Sequence, residues 1–296
     1  MANRVAFIGL GTMGYPMAGH LARRFETLVW NRTASKAQAH AQQFGSYAVT
    51  DLRETAAAEF LFTCLPTSVE VEAILEQLLP ALKPGTLWVD CTSGDPQHSR
   101  RLAQRLRERG CDFLDAPVSG GKAGAEAGTL TVMVGGSRES YERALPVIGA
   151  FAGKVFHVGD VGAGHAVKAV NNMLLAIGLL SAAEGLATLA KLGVDPAVAL
   201  EVINVSSGRS FSTEVHFPER VLTRQFPNTF SLALLAKDTR IAVAMAREAY
   251  VPAPLMQLAA EMFEMAKAQI GGDVDHTAVV KLIESWAGVQ IAPRSE

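Results

Sequence analysis

VAFIGLGTMGYPMAGHL, residues 5–21, starts as an unbroken apolar run and continues with apolar residues at helical spacing. Gly9, Gly11 and Gly14 stand at the junction in a G-x-G-x-x-G pattern. The pattern alone has a high false-positive rate, but directly after a strand and opening a helix it is the fingerprint of a dinucleotide site. Gly9 permits the tight turn, Gly11 lets the backbone approach a pyrophosphate, and Gly14 lets the helix pack closely on the sheet. Leu10, Thr12 and Met13 fill the rest of that phosphate path. The helix N-terminus behind them offers free amides and a partial positive charge to an anion.

The end of the second strand selects the dinucleotide. An NAD site usually carries an acidic residue there for the ribose 2′-hydroxyl. This chain has Asn31-Arg32-Thr33 instead. A guanidinium and a hydroxyl are offered to a 2′-phosphate and no carboxylate repels it, which points to NADP with NAD still possible.

Outward from this loop, residues 1–163 alternate short apolar runs with helical patterns. Strands are expected at Arg4–Leu10, Thr27–Asn31, Phe60–Leu65, Leu87–Cys91, Cys111–Asp115, Leu130–Val134 and Val155–Val158. Such alternation predicts a parallel, doubly wound α/β sheet, a Rossmann dinucleotide-binding domain. From Gly164 long helical periods take over, at 165–192, 195–204, roughly 231–249 and 254–270. Residues 164–296 are therefore expected to form an all-α domain for substrate binding and oligomerisation, joined to the first by a long helix. Asp195 reads as the N-cap of the second of these helices and Pro196 as its first residue.

Bulk properties narrow the class. A chain of 296 residues with 49% hydrophobic and 19% charged residues has room for two domains and a sizeable core. A net charge of −2 without basic runs argues against nucleic acid. Cys64, Cys91 and Cys111 lie in or beside strand-like segments without metal-ligand spacing, so they read as reduced thiols of a cytoplasmic protein. No metal site is expected, and the N-terminus lacks a signal-peptide cleavage pattern. Residues 169–190 have the length of a membrane span. Asn171, Asn172 and Glu184 inside that stretch favour the core of a soluble protein or a dimer.

Two further segments carry chemistry. In GHAVKAVNN, Lys168 precedes Asn172 by four residues, which puts ammonium and amide one turn apart on one helix face. The surroundings are almost wholly apolar, and a desolvated lysine is a candidate proton donor. In DAPVSGGKAGAEAGTLTVMVGG, Ser119, Gly120 and Gly121 expose backbone amides at a strand end, a nest for a small carboxylate.

These segments together resemble the β-hydroxyacid dehydrogenases of the 3-hydroxyisobutyrate dehydrogenase type. The resemblance covers nearly the whole chain and rests on four ordered signatures: GLGTMGYPMAGHL, DAPVSGGKAGAEAGTLTVMVGG, GAGHAVKAVNNMLLA and the Lys237-Asp238 pair. It implies Lys168 as catalytic acid/base, Asn172 as the residue that orients substrate, and Ser119, Gly120 and Gly121 as the carboxylate holders. It also implies that Lys237 joins the nicotinamide and substrate pocket, with Phe230 and Asp238 on the pocket wall. Leu65, Pro66 and Ser93 would lie along the ribose and nicotinamide. Two departures stand out. Gly94 replaces a usually bulky apolar residue, an expected change at the pocket rim, and Lys122 follows the double glycine as an expected extra cation at the substrate site. His165 reads as a helix-start residue.

The implied reaction is reversible hydride transfer between NADP (or NAD) and a small β-hydroxy acid, with the hydroxyl proton passing to Lys168. That requires a lysine pKa well below its free value of roughly 10.4. The apolar helix and the second cation Lys237 are expected to lower it. An alternative is NADPH-dependent reduction of small aldehyde acids such as glyoxylate, succinic semialdehyde or tartronate semialdehyde by the same residues. A catalytically silent binding module would not need Lys168 and Asn172. The apolar helix further predicts a homodimer or homotetramer.

Overall fold

The structure is a computed structural model that describes residues 4–294. The chain forms two compact units, Met1–Lys168 and Ala169–Glu296.

The first unit is built on one sheet. Its strands are β1 (Arg4–Ile8), β2 (Glu26–Trp30), β3 (Tyr47–Ala48), β4 (Phe60–Thr63), β5 (Leu87–Asp90), β6 (Asp112–Asp115), β7 (Val118–Ser119), β8 (Leu130–Gly135) and β9 (Ala152–Gly159). They lie in the order β3-β2-β1-β4-β5-β6-β8-β7, with β9 also paired to β8. Strands β1 to β6 are mutually parallel, but β8 runs antiparallel to both β6 and β7. The sheet is therefore mixed and not wholly parallel as the sequence pattern predicts. The connection from Gly120 to Thr129 explains this, because a parallel return needs a crossover of about a dozen residues or more.

The helices of this unit are α1 (Gly14–Ala22), α2 (Ala34–Phe44), α3 (Ser68–Leu78), α4 (Pro96–Arg107), α5 (Gly121–Ala127) and α6 (Arg138–Ile148). They cover both faces of the sheet. Val5 and Phe7 of β1 join one core with Met17 and Leu21 of α1, while Ala6 and Ile8 join another with Leu75 and Leu78 of α3. A strand buried on both faces reads as a continuous apolar run, which is why β1 was visible in sequence. β1 stops at Ile8 because Gly9 turns the chain with φ 101°.

Among the described residues the second unit is helical, apart from a β-bridge between Ser231 and Asp275. Helix α7 (Ala163–Lys191) begins in the first unit and supplies residues to the second. It is followed by α8 (Pro196–Asn204), α9 (Leu232–Glu248), α10 (Pro254–Ile270) and α11 (Val280–Ala287). Asp195 caps α8 by accepting from Ala197 N, with Pro196 in the first turn. Sequence periodicity missed α11 and the π-helical segment Ser212–Val221. Pro218 lies inside that segment and cannot donate a backbone bond, which spoils a regular α pattern.

Helix α7 is long and apolar enough to cross a membrane by length and composition alone. Its residues Ala169, Met173, Ala176, Leu180, Ala183 and Ala187 form a stripe at three- and four-residue spacing, buried with Leu235, Phe263 and Val279. That stripe gives the helix a core-facing side, while Val170 and Leu174 are exposed on its other side.

Candidate active site

The glycine loop lies where the strand order reverses, between β1 and β4, the position at which doubly wound sheets bind ligands. A side chain at Gly9 would overlap the Cys64 carbonyl, and one at Gly14 would overlap the Gly9 carbonyl. Beside Gly11, by contrast, nothing lies within 4 Å of where a Cβ would stand. Helix α1 has no acidic residue in its first turn and no side chain capping its amides. An open approach at Gly11 and uncapped amides fit a dinucleotide pyrophosphate. The Leu10 side chain is buried in the core, so Leu10 offers only its backbone here, whereas Thr12 is exposed and Met13 half-buried.

Asn31 does not reach outward. Its Oδ1 accepts from Leu10 N at 2.9 Å, and its Nδ2 donates to the Thr33 carbonyl at 3.1 Å, so the side chain braces the loop. Arg32 and Thr33 are exposed, and Thr33 precedes α2 without capping it by its side chain. The structure adds Lys36, which the sequence reading missed. It lines an open cleft of about 580 Å³ together with Leu10, Gly11, Thr12 and Lys122. Lys36 and Lys122 thus line a cleft that the glycine loop borders, as does Arg23, while exposed Arg32 follows the Asn31 that braces the loop. Lys122, on α5, also pairs with Glu126 at 3.5 Å and lines that cleft with Gly11 and Thr12.

Leu65 and Pro66 follow β4, and Leu65 N donates to Thr92 Oγ1 at 3.1 Å, which joins that turn to the loop carrying half-buried Ser93. Gly94 does not open a pocket rim. A Cβ there would come within 2.7 Å of the His165 ring and 2.8 Å of Ser68 Oγ, so the missing side chain makes room for His165.

Ser119 ends β7, and Gly120 and Gly121 lead into α5 with φ of 132° and 60°. Neither conformation suits a residue with a Cβ. No side chain caps α5, so the exposed double glycine presents its amides to solvent.

Lys168 is half-buried on α7, and Asn172 follows one turn later, fully buried. The rise between them is about 6 Å along the helix. In the helical unit Asn172 Nδ2 donates to Asp238 Oδ2 at 2.6 Å, and Asp238 Oδ1 lies 3.1 Å from Lys237 Nζ. Asp238 therefore orients the Asn172 amide and balances the Lys237 charge. Phe230 packs its ring against His276, with centroids 5.4 Å apart.

Known proteins now bear on this geometry. Residues 4–159 match the NAD binding domain of 6-phosphogluconate dehydrogenase, and residues 162–283 match the NAD-binding domain of NADP-dependent 3-hydroxyisobutyrate dehydrogenase. A 2-(hydroxymethyl)glutarate dehydrogenase from Eubacterium barkeri is 37% identical over 98% of this chain and 97% of its own. An NAD-dependent L-serine dehydrogenase from Pseudomonas aeruginosa is 35% identical over 97% of this chain and 99% of its own. The solved 3-hydroxyisobutyrate dehydrogenase of Mycobacterium tuberculosis with L-serine superposes with a TM-score of 0.88 at 32% identity, covering 96% of this chain and 99% of that one.

The chain belongs to the β-hydroxyacid dehydrogenases. Members of this family are nicotinamide-dependent oxidoreductases acting on CH–OH, and this chain is one, with a small hydroxy acid as its class of substrate. The Rossmann unit, the helical unit and the long helix expected from sequence are all present. What sequence did not supply was Lys36, the structural duty of Asn31, and the partners that hold Asn172 and His165.

Proposed function

We propose that this dehydrogenase oxidises a 3-hydroxypropionate bearing a substituent at C2, with NADP as its preferred cofactor and Lys168 as general acid/base. The relatives are named for 2-(hydroxymethyl)glutarate, L-serine and 3-hydroxyisobutyrate. All three compounds place a CH2OH group on the carbon that carries the carboxylate, and differ only in what else that carbon bears. The observation that carries the assignment is the pairing on α7 of half-buried Lys168 with Asn172, whose amide is fixed by Asp238.

In the oxidative direction the hydroxyl proton passes to neutral Lys168 Nζ, and the carbinol carbon becomes an aldehyde. When bound, the nicotinamide takes up or returns the hydride. Backbone amides of the Ser119-Gly120-Gly121 segment hold the carboxylate, and Asn172 orients the substrate. Positioned proton transfer of this kind contributes about a hundred- to ten-thousand-fold. The NADP preference rests on Arg32, Thr33 and Lys36 at the start of α2, where no acidic residue occupies the first turn. The same cations favour the reductive alternative, in which an aldehyde acid receives the proton from Lys168.

We further place the chain in the cytoplasm as a homodimer or homotetramer. Its three cysteines are unpaired by disulfides. Val198 and Val202, one turn apart on α8, are 56% and 60% exposed, and Leu174 on α7 is 65% exposed. Apolar side chains so presented suit an interface between copies.

The decisive assay is a panel of initial rates followed by nicotinamide absorbance, each substrate run with NADP(H) and NAD(H). It contains 3-hydroxyisobutyrate, L-serine, 2-(hydroxymethyl)glutarate, 3-hydroxypropionate, D-glycerate, glyoxylate and succinic semialdehyde. Oxidation of the C2-substituted 3-hydroxy acids with NADP is expected. Turnover of aldehyde acids alone would refute the oxidative assignment, and silence throughout would revive a binding role.

A further inference from the structure

Asp115 is fully buried at the end of β6, four residues before Ser119. Its Oδ1 accepts from Gly162 N at 2.7 Å and its Oδ2 from His165 N at 2.8 Å. Those two amides belong to the start of α7, where a helix has no partners of its own. A carboxylate from a different element thus caps this helix with both oxygens, aided by the helix dipole. The packing around it is closed. A Cβ at Gly135 would lie 2.6 Å from Asp115 Oδ1, and one at Gly164 would lie 2.6 Å from the Asp115 carbonyl.

His165, buried beside this cap, is held from other directions. Its Nδ1 lies 2.7 Å from Ser99 Oγ on α4, and its ring fills the space left by Gly94. Its Nε2 faces Asp90 Oδ2 at 3.9 Å and has no hydrogen-bond partner among the described residues. Asp90 is in turn fixed by Thr63 Oγ1 at 2.8 Å and Thr92 N at 3.1 Å. The ends of β4, β5 and β6 therefore converge on the first turn of α7. The titratable groups facing this turn include Asp115, Asp90 and His165, and Arg100 of α4, whose Nε would lie 3.3 Å from a Cβ at Gly162. Burial raises the Asp115 pKa, opposed by His165 and by the amides of Gly162 and His165. A neutral cap would cost less to bury. What the carboxylate adds is two acceptors, which fix both the height of the helix and its rotation about its axis.

We infer that Asp115, supported by His165 and Ser99, is a positioning residue that sets where Lys168 stands relative to the Ser119–Gly121 loop. Lys168 follows His165 by three residues on the same helix, so displacement of the first turn moves its ammonium directly. Asp115 meanwhile stands at the root of the Ser119 segment, where Ala116 N donates to the Asp90 carbonyl at 2.7 Å. One residue thereby governs both ends of the separation. The inference rests on the proposed role of Lys168.

The test uses Asp115→Asn in the full-length enzyme. Asparagine keeps the shape but replaces one acceptor with a donor that faces a backbone N–H. Hydrogen exchange of the 162–168 amides should speed up at least about tenfold. The kcat should fall about a hundredfold, as for a misplacement near 1 Å, while the hydroxy-acid KM and the NADP Kd stay within about twofold. Ser99→Ala, which removes the partner of His165 together with the Ser99 Oγ bond to the Asp95 carbonyl at 3.1 Å, should show the same pattern more weakly and covers the case in which Asp115→Asn does not fold. Unchanged exchange in the folded variants overturns the clamp. Faster exchange with unchanged kcat overturns its catalytic consequence. Lys168→Ala run in parallel separates the two ideas: retained turnover there removes the acid/base assignment, while the exchange data still decide whether Asp115 holds the helix.

Discussion

Acid should loosen the helical unit through one histidine. His216 is 4% exposed in the π-helical segment Ser212–Val221, edge-on to Phe211 at 5.0 Å and to His276 at 4.8 Å. Its Nδ1 has no hydrogen-bond partner among the described residues. Burial, with repulsion from His276 and Arg220, pushes its pKa from 6.5 down to about 3, against a smaller pull from Asp275. Asp275 is already engaged by Arg220 at 3.1 Å and by the Thr277 and Thr229 amides. The folded pKa lies below the unfolded one, so the unfolded chain takes up the proton first. Stability is therefore complete above pH 6.5 and declines as pH falls toward 3. One unit corresponds to about 1.4 kcal/mol. Between pH 8 and pH 5 the loss is about 2 kcal/mol, a large share of a typical stability of 5–15 kcal/mol. Asp275 adds nothing in that window. Burial works to raise its pKa, but bonds from His276 and Thr277 outweigh it and hold the carboxyl low, so its contribution disappears only at more acid pH. The assay is urea unfolding followed by far-ultraviolet circular dichroism at pH 8 and pH 5, for the wild type and for His216→Phe. Phenylalanine keeps the ring contacts and cannot titrate. Subtracting the two proteins removes common contributions, including that of His40, whose pKa burial also lowers. If His216→Phe loses as much stability as the wild type between these pH values, the reasoning is wrong.

Three other outcomes are expected. Lys168→Ala should lower kcat about a hundred- to ten-thousand-fold, with the NADP Kd measured by fluorescence titration unchanged within about twofold. Arg32→Ala and Lys36→Ala should each weaken NADP about ten- to a hundred-fold, the equivalent of one charge-assisted bond of about 1.5–3 kcal/mol, and leave NAD nearly unaffected. Equal loss for both cofactors would remove the 2′-phosphate assignment. Val198→Asp/Val202→Asp should shift sedimentation velocity to a smaller species with turnover per folded subunit reported alongside, and an unchanged sedimentation coefficient would exclude this face of α8 as the interface.

How much of this was legible in the sequence depends on how local the cause is. The glycine loop and its helix are contiguous, and the turn chemistry of Gly9 and Gly14 is written within six residues. Lys168 and Asn172 share a face by spacing alone. Strands β3 and β7 have two residues each, too short to show a period of two. The antiparallel direction of β8 depends on the length of a connection and not on any residue type. The Asp115 cap joins groups 47 and 50 positions apart, and the Asn172–Asp238 bond joins groups 66 apart, so neither leaves a pattern along the chain. Gly94 shows the limit most plainly. Its departure from the family pattern was evident, but its meaning depended on the His165 ring that occupies the space.

Asn31 occupies the place where an acidic residue would choose NAD, yet both of its polar atoms are spent on Leu10 and Thr33. An aspartate there would still accept from Leu10 N but could not donate to the Thr33 carbonyl, so it would loosen the turn that presents Arg32 and Thr33. Exchange of one cofactor for the other, by natural drift or by engineering, is thus steered away from residue 31. The permissive route runs through Arg32 and Lys36, exposed side chains that can be replaced without disturbing the frame of the loop.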